Sequence, residues 1–349
     1  MTDDKRVAVL GYGLAGSAFH APYIEATPGL RVATVVTGNP ERQAAARERY
    51  PDAAVVSTME DMLAAGPDLV VVATPNRHHV ANATEALRRG ISVVVDKPVA
   101  GTPDEVATLG ELAEDQGVMF TVFQNRRWDG DFRTVRDLVD TARLPDVSAF
   151  ESRFERVGRP GARSAWKTST DPLDLAHIVY DLGSHLLDQA IVLFGPVESV
   201  FGRASSPRPD VPVEEDVTLA VRHVSGVSTL LRMSNAVQPA GPRFTVTGAT
   251  AGYRCWGLDP QERAARSGAR PTDPGFGVYD EAQWGSLITD EGRAVVPTLN
   301  GDYLGYWSMV EACLRGDGPP PVLPEESIRL VTTVAAAMRA VRDGRPVVL

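Results

Sequence analysis

The sequence predicts an α/β protein in two parts: a doubly wound parallel sheet, then an α+β portion built on an open, mainly antiparallel sheet. Three observations carry this. Strand-like and helical runs alternate through residues 1–124. The first strand-like run ends in the glycine turn Gly11-Tyr12-Gly13-Leu14-Ala15-Gly16. Beyond Asn125 the texture changes to segments that alternate apolar and polar residues with period two.

Taken in order, Lys5–Leu10 reads as a short buried strand, and the small residues Ser17 and Ala18 after the glycines open a helix. Pro22 is expected to kink or restart that helix, and His20 on it reads as a packed rather than a catalytic histidine. Further strands are expected at 30–37, 53–56, 69–74, 91–95 and 119–123, with helices at 40–50, 80–90 and 103–117. Such alternation means parallel strands joined by crossover helices. A helix at 133–141 follows, then the period-two segments 147–154, 217–223 and 227–233, which read as an antiparallel sheet. A strongly apolar helix occupies 178–194, and another lies at 327–341. Residues 203–212 and 262–277 are rich in Pro, Gly and charge and read as loops. Tyr303, Tyr306 and Trp307 precede a helix running to Cys313 and read either as core aromatics, the favoured reading, or as one wall of the pocket.

A chain of 349 residues exceeds one ordinary core, so two domains are expected, 1–124 and 125–349. The last helix, about 325–342, is expected to pack back on the first domain. Two cysteines, Cys255 and Cys313, cannot make a disulfide framework, and Met1 to Arg6 has no apolar signal region. A reducing, cytoplasmic setting is the expectation. No apolar run approaches the roughly 20 residues of a membrane span. A net charge of -10 disfavours nucleic acid or an anionic membrane as partner.

The glycine turn points to a dinucleotide. Gly11 makes the tight turn, Gly13 lets main chain approach a pyrophosphate and Gly16 lets the helix pack on the strand. Leu14 and Ala15 complete the turn, and the phosphates sit on the helix N-terminus. This is the Rossmann fingerprint. An NAD-specific fold places Asp or Glu about 20 residues further on, to hold the ribose 2'-hydroxyl. Here the second strand ends Thr37-Gly38-Asn39-Pro40-Glu41-Arg42, with no acid at its tip. Thr37 and Asn39 are small donors, and Arg42 can meet a 2'-phosphate with two parallel hydrogen bonds. NADP is therefore favoured over NAD. The plain alternative makes Arg42 a solvated helix residue like Arg47 and Arg49.

Ligands of such sheets gather outside the carboxyl ends of the strands. Asp96-Lys97-Pro98 follows the strand at 91–95, and a lysine there, beside a dinucleotide, suggests hydride chemistry. Thr74-Pro75-Asn76, with His79, is placed to line the nicotinamide ribose. His78 and His79 are neighbours that point apart on a helix, with no Cys or carboxylate cluster nearby, so no metal is expected. In the second domain Asp181 and His185 are four apart on the apolar helix and share one face. Either they form a helix-surface ion pair, or His185 is a base with Asp181 as substrate anchor or tuning partner.

The Gly-x-Gly-x-x-Gly turn, Thr74-Pro75-Asn76 with His79, Asp96-Lys97-Pro98, Asn125-Arg126-Arg127-Trp128-Asp129 and Asp181-x-x-x-His185 occur here in one order. In this the whole chain resembles the glucose-fructose oxidoreductase, inositol dehydrogenase and MocA-like family. The wording Gly11 to Gly16 through Phe19-His20-Ala21-Pro22, together with 125–132, is similar to the branch containing NADP-dependent scyllo-inositol dehydrogenases. The resemblance implies an NAD(P)-dependent oxidoreductase passing hydride between the nicotinamide and a secondary alcohol of a polyol, inositol or sugar. It implies Lys97, Asp181 and His185 as catalytic residues, with Asp96 in the cofactor site where relatives commonly have Glu. Asn125, Arg126 and Trp128 would join Asp181 and His185 at the substrate. It also implies a homodimer or homotetramer through the open sheet. Many relatives have a glycine-rich stretch where this chain has Asp171 to Ile178, so the pocket wall differs there. Two other readings stay open: a redox-assisted glycoside hydrolase with bound NAD, and a non-catalytic cofactor-binding regulator.

Overall fold

The computed structural model describes residues 4–157, 169–208 and 213–349. Strands β1 (Lys5–Leu10), β2 (Leu30–Val36), β3 (Ala54–Val56), β4 (Leu69–Val72), β5 (Ser92–Val95) and β6 (Phe120–Val122) pair in the order β3-β2-β1-β4-β5-β6. All the pairings are parallel. This is the 3-2-1-4-5-6 order of a doubly wound dinucleotide fold. β4 and β5 are almost wholly Val and Leu and wholly buried, as strands shielded on both faces must be.

The connecting helices are α1 (Ala21–Ala26), α2 (Pro40–Arg49), α3 (Met59–Ala64), α4 (His79–Arg88) and α5 (Pro103–Gln116). Their starts are written in local chemistry. Asn39 and Thr58 cap α2 and α3, and α5 begins with a reciprocal Thr102–Glu105 capping box and Pro103. α3, which the strand-and-helix reading passes over, is a six-residue helix too short to show periodicity.

The other elements are α6 (Gly130–Asp140), β7 (Val147–Glu155), α7 (Ser184–Phe194), β8 (Val197–Ser205), β9 (Asp216–His223), β10 (Ser228–Ser234), β11 (Phe244–Gly248), β12 (Ala251–Cys255), α8 (Pro260–Arg266), β13 (Gly285–Thr289), β14 (Gly292–Val296), α9 (Tyr303–Arg315), α10 (Pro324–Asp343) and β15 (Val347–Val348). A nine-stranded sheet runs β14-β13-β12-β11-β7-β10-β9-β8-β15. Only the β7–β10 pairing is parallel. Val217, Leu219 and Val221 of β9 face a core shared with Phe150, Leu231 and the apolar side of α7. The alternate residues Thr218, Ala220 and Arg222 lie on the other, more exposed face.

Two compact units assemble from interleaved stretches: 1–125, 260–277 and 302–328 make one, and 126–259, 278–301 and 329–349 the other. Helix α10 passes from one into the other. Three local expectations need correction. The stretch 262–277 does not run as loop throughout, because Pro260 starts α8 and a Glu262–Arg266 ion pair spans one helical turn. Of the loop expected at 203–212, residues 203–205 finish β8, and 209–212 lie outside the described residues. The helix expected at 178–194 divides into a wide π-helical turn, Val179–Gly183, and then α7. At Gly183 a Cβ would come within 2.9 Å of Met233 Sδ on β10, so the missing side chain lets this turn press on the sheet.

Candidate active site

At the end of β1 the main chain is arranged as a cradle. Gly11 has φ +103°, and a Cβ on it would lie 2.5 Å from the carbonyl oxygen of Ala73 at the end of β4. A Cβ on Gly16 would overlap the Gly11 carbonyl oxygen. Around Gly13 the nearest atom to such a Cβ is Arg42 Nη1, at 3.7 Å, so this part of the turn is open to an approaching group. The Ser17 amide and hydroxyl both donate to Gly13 O, at 2.9 and 2.8 Å. Leu14 and Ala15 lead into a π-helical turn, Ala15–His20, and Pro22 then opens α1.

At the tip of β2, Thr37 Oγ1 accepts from the Asn39 amide at 3.3 Å, and Asn39 Oδ1 accepts from the Arg42 amide at 3.0 Å. The Asn39 carboxamide oxygen is therefore the cap of α2, while the Arg42 side chain is exposed beside Gly13. Gln43, which sequence reading does not single out, donates from Nε2 to Thr37 O at 2.8 Å and to Ser57 Oγ at 2.9 Å, bracing this tip.

The ends of β4 and β5 are tied together. The Asp96 amide donates to Val72 O at 2.9 Å, and Asp96 Oδ1 accepts from the Lys97 amide at 2.8 Å. His79, fully buried at the start of α4, puts Nδ1 2.9 Å from Pro98 O and Nε2 2.8 Å from Thr74 O. Its ring thus clamps the two loops that carry Thr74-Pro75-Asn76 and Lys97-Pro98. Asn82 Nδ2 donates to Thr74 Oγ1 at 3.1 Å. Burial is the largest influence on His79 and pulls its pKa below the usual value, against the Asp96 charge and both carbonyls. His20 is packed, as its sequence context suggests, and its ring lies 4.4 Å from that of Phe123 and 5.8 Å from that of Trp307. It also has a charged neighbour the sequence does not reveal: its Nε2 is 3.6 Å from Asp96 Oδ2.

Residues Asn125–Trp128 form a 3-10 turn that begins on the last residue of the first stretch of one unit and runs into the other. Arg126 Nη1 lies 3.3 Å from the buried Asp129, and its guanidinium sits 5.3 Å from the centre of the Phe154 ring. Arg127 grips Asp188 of α7 with two hydrogen bonds of 2.8 and 2.7 Å. Gln189 Nε2 donates to Arg126 O at 2.8 Å, and its Oε1 accepts from Arg243 Nη2 at 2.8 Å. Arg243 is 1% exposed; it donates to Asp131 Oδ2 at 3.1 Å and Ser152 Oγ at 2.6 Å, against the Phe154 and Phe244 rings. Burial drives the Asp131 carboxyl upward against the pull of Arg243. Trp128 closes the turn half-buried.

His185 stands on the first turn of α7, buried, its ring edge-on to Phe154 at 6.3 Å. Asp181 is half-buried on the preceding π-helical turn, where the Tyr180 and Asp181 amides donate to His177 O at 2.9 and 3.2 Å. One turn beyond His185, Asp188 and Gln189 hold the 125–128 turn, so α7 carries both the histidine and the anchors of Arg126 and Arg127. Cys255 is no nucleophile here: burial, then the Asp131 charge, pushes its thiol up to about 12.

A family model described as "Oxidoreductase family, NAD-binding Rossmann fold" matches residues 5–124, and one described as "GFO/IDH/MocA C-terminal domain" matches 132–254. The chain belongs to the Gfo/Idh/MocA oxidoreductase family. Scyllo-inositol 2-dehydrogenase (NADP(+)) IolW of Bacillus subtilis is 30% identical, over 99% of this chain and 96% of the relative. The oxidoreductase YdgJ of Escherichia coli is 35% identical over 98% of each. Among solved structures, yvaA of Bacillus subtilis superposes with a TM-score of 0.93 at 29% identity, covering 100% of this chain and 99% of that one.

As a Gfo/Idh/MocA oxidoreductase the chain takes a nicotinamide dinucleotide, and the cradle fits one. Side chains are absent where main chain must come close, the opening lies at Gly13, and Arg42 borders it. Sequence reading missed Gln43, Asp188 and Gln189, which bond Thr37, Arg127 and Arg126, and also Arg243 and Asp131, which are linked to them through Gln189. Asp131 lies in the quoted stretch 125–132 with no sign there of its partner, the others sit in no motif, and separations such as the 61 residues from Arg127 to Asp188 are closed only by the fold. Among the described residues no helix is long and apolar enough to cross a membrane.

Proposed function

We propose that the protein is an NADP-preferring dehydrogenase or reductase of a secondary alcohol on a polyol, inositol or sugar, with Lys97, Asp181 and His185 as its catalytic residues. The observation that carries this reading is Lys97 at the carboxyl end of β5, in the loop bonded to the end of β4 and one strand beyond the strand that borders the glycine turn. IolW, whose name gives scyllo-inositol and NADP, supports the substrate class and the cofactor. Arg42 beside Gly13 supports the 2'-phosphate.

When bound, the nicotinamide supplies the acceptor or donor of hydride. His185, a residue type whose ordinary pKa is near 6.5, takes the hydroxyl proton as the alcohol is oxidised. The Lys97 ammonium anchors that hydroxyl and stabilises the developing alkoxide. Asp181 holds the substrate or orients the histidine, and Asn125, Arg126 and Trp128 contribute to the pocket. In reduction the same groups polarise and protonate a ketone. We assign the enzyme to the cytoplasm, as a homodimer or homotetramer through the open face of the nine-stranded sheet. Leu230, Ile288 and Val295 are exposed apolar residues on that face, and light scattering tests the assembly.

The test is reduction of NADP and NAD, in parallel, against inositol isomers, aldoses and deoxy-sugars, with Lys97→Met beside the parent. Turnover that favours NADP and falls about a thousandfold or more in Lys97→Met, while nucleotide still binds, is expected. Undiminished turnover in that variant removes Lys97 from the chemistry.

A further inference from the structure

We propose that His20 is a positioning residue for the hydride step: it restrains the Asp96 carboxylate, which in turn fixes the main chain of Lys97. The inference rests on the reading of Lys97 as the group that meets the substrate hydroxyl.

His20 is fully buried, and neither ring nitrogen makes a hydrogen bond among the described residues. An imidazole confined between Phe123 and Trp307 costs desolvation that a phenyl ring of similar shape would not. Its polar neighbour is the outer oxygen of Asp96, 3.6 Å from Nε2. The inner oxygen of the same carboxylate accepts the Lys97 amide at 2.8 Å. Held at one oxygen only, the carboxylate could turn about its Cβ–Cγ bond; His20 at the other oxygen opposes that rotation. Lys97 then leaves β5 in one direction rather than several, which a group meant to meet a substrate hydroxyl requires.

The charges around Asp96 rank the same way. Burial is the largest single influence on its carboxyl and would raise it, but His20, then His79 and Lys97, together hold the group below the usual carboxylate range, with His20 first among them. His79 cannot substitute for His20, because both its nitrogens face the carbonyls of Pro98 and Thr74.

The test compares His20→Phe, which keeps a ring in the aromatic cage, with His20→Gln, which restores an N–H toward Asp96, and with Asp96→Asn and Lys97→Met. NADPH affinity, read by its fluorescence, is expected within about twofold of the parent in His20→Phe, while kcat falls about tenfold or more. His20→Gln recovers part of that loss, and the His20→Phe/Asp96→Asn double variant is no slower than the worse single one. A readout free of substrate is the histidine 15N spectrum: the resonances lost in His20→Phe shift in Asp96→Asn. If Lys97→Met still turns over, the reading of the lysine fails. If Lys97→Met is dead but kcat in His20→Phe is unchanged, or the His20 and Asp96 losses multiply, the positioning role of His20 fails alone. Unmoved 15N resonances in Asp96→Asn also overturn it, and should His20→Phe not fold, full activity in Asp96→Asn does so.

Discussion

In the unit that holds β1 to β6 the working parts are mostly main chain, whereas in the unit that holds β7 to β15 they are side chains held by other side chains. The glycine cradle, the Asn39 cap and the clamp of His79 on two carbonyls use peptide groups set by turns a few residues long. Arg126 and Arg127 instead lean on Asp188 and Gln189, and Gln189 on Arg243 with its partner Asp131, 112 residues away, while His185 packs on Phe154. A main-chain site survives as long as its dihedral angles are permitted. A side-chain site survives as long as every buried charge keeps its counter-charge, so each should fail in its own way.

The sharpest way to break the contrast is Arg243→Met. It leaves the Asp131 carboxylate buried without its guanidinium, and removing one partner of a buried pair costs about 3–5 kcal/mol. Urea unfolding should show that loss, and Asp131→Asn added to it should return part of the stability, since the orphaned charge is gone. If the two changes simply add, the pair is not acting as a compensated charge and the side-chain account of this unit is wrong.

Gly11→Ala probes the other unit by conformation alone. A positive φ costs a residue with a Cβ about 1–3 kcal/mol, and contact with the Ala73 carbonyl adds to it. Nucleotide binding, followed by fluorescence titration, is expected to vanish while charge-based variants elsewhere retain it. That difference also explains what was legible beforehand. The glycine turn, Lys97 after the valines of β5 and the Pro103 helix start could be read because each is a local pattern of permitted dihedrals or periodicity. Arg243, Asp131 and Gln189 could not, because a lone arginine or glutamine in sequence looks the same whether solvated or buried. The split of the helix at Gly183 was hidden too, since a π-helical turn keeps the apolar pattern of an α-helix while a contact with Met233 decides its course. His20 was read as packing, and its facing of Asp96 follows only from the sheet order.

Arg42→Ala separates the parts of the main-chain site. The glycines serve any dinucleotide, whereas Arg42, exposed beside Gly13, is the residue proposed to meet a 2'-phosphate. The NADP dissociation constant should rise about ten- to hundredfold, the ~1.5–3 kcal/mol of a hydrogen bond to a charged group, with NAD affinity changed less than about twofold. Equal losses for both nucleotides would place Arg42 on the shared pyrophosphate instead.

The smallest effect is a pH dependence carried by three histidines, of which His79 belongs to the candidate nucleotide site and His223 and His177 lie outside it. His223 has Nδ1 2.9 Å from Gly195 O and Nε2 3.2 Å from Thr229 Oγ1, a pattern the neutral ring satisfies with one N–H and one lone pair. Burial lowers its pKa, with the Gly195 carbonyl pulling the other way, and His79 and His177 are lowered as well, burial again leading. Below the ordinary histidine value of about 6.5, the unfolded chain binds protons that the folded one refuses. Stability therefore falls as pH drops from 6.5 toward the depressed folded values, and is flat above 6.5 as far as these groups go. His223→Gln should leave a shallower fall of Tm between pH 7.5 and pH 5, because one of the three contributions has been removed. A slope identical to the parent's would mean that His223 takes its proton in the folded state as readily as in the unfolded one, and that the Thr229 hydroxyl turns to accept rather than donate.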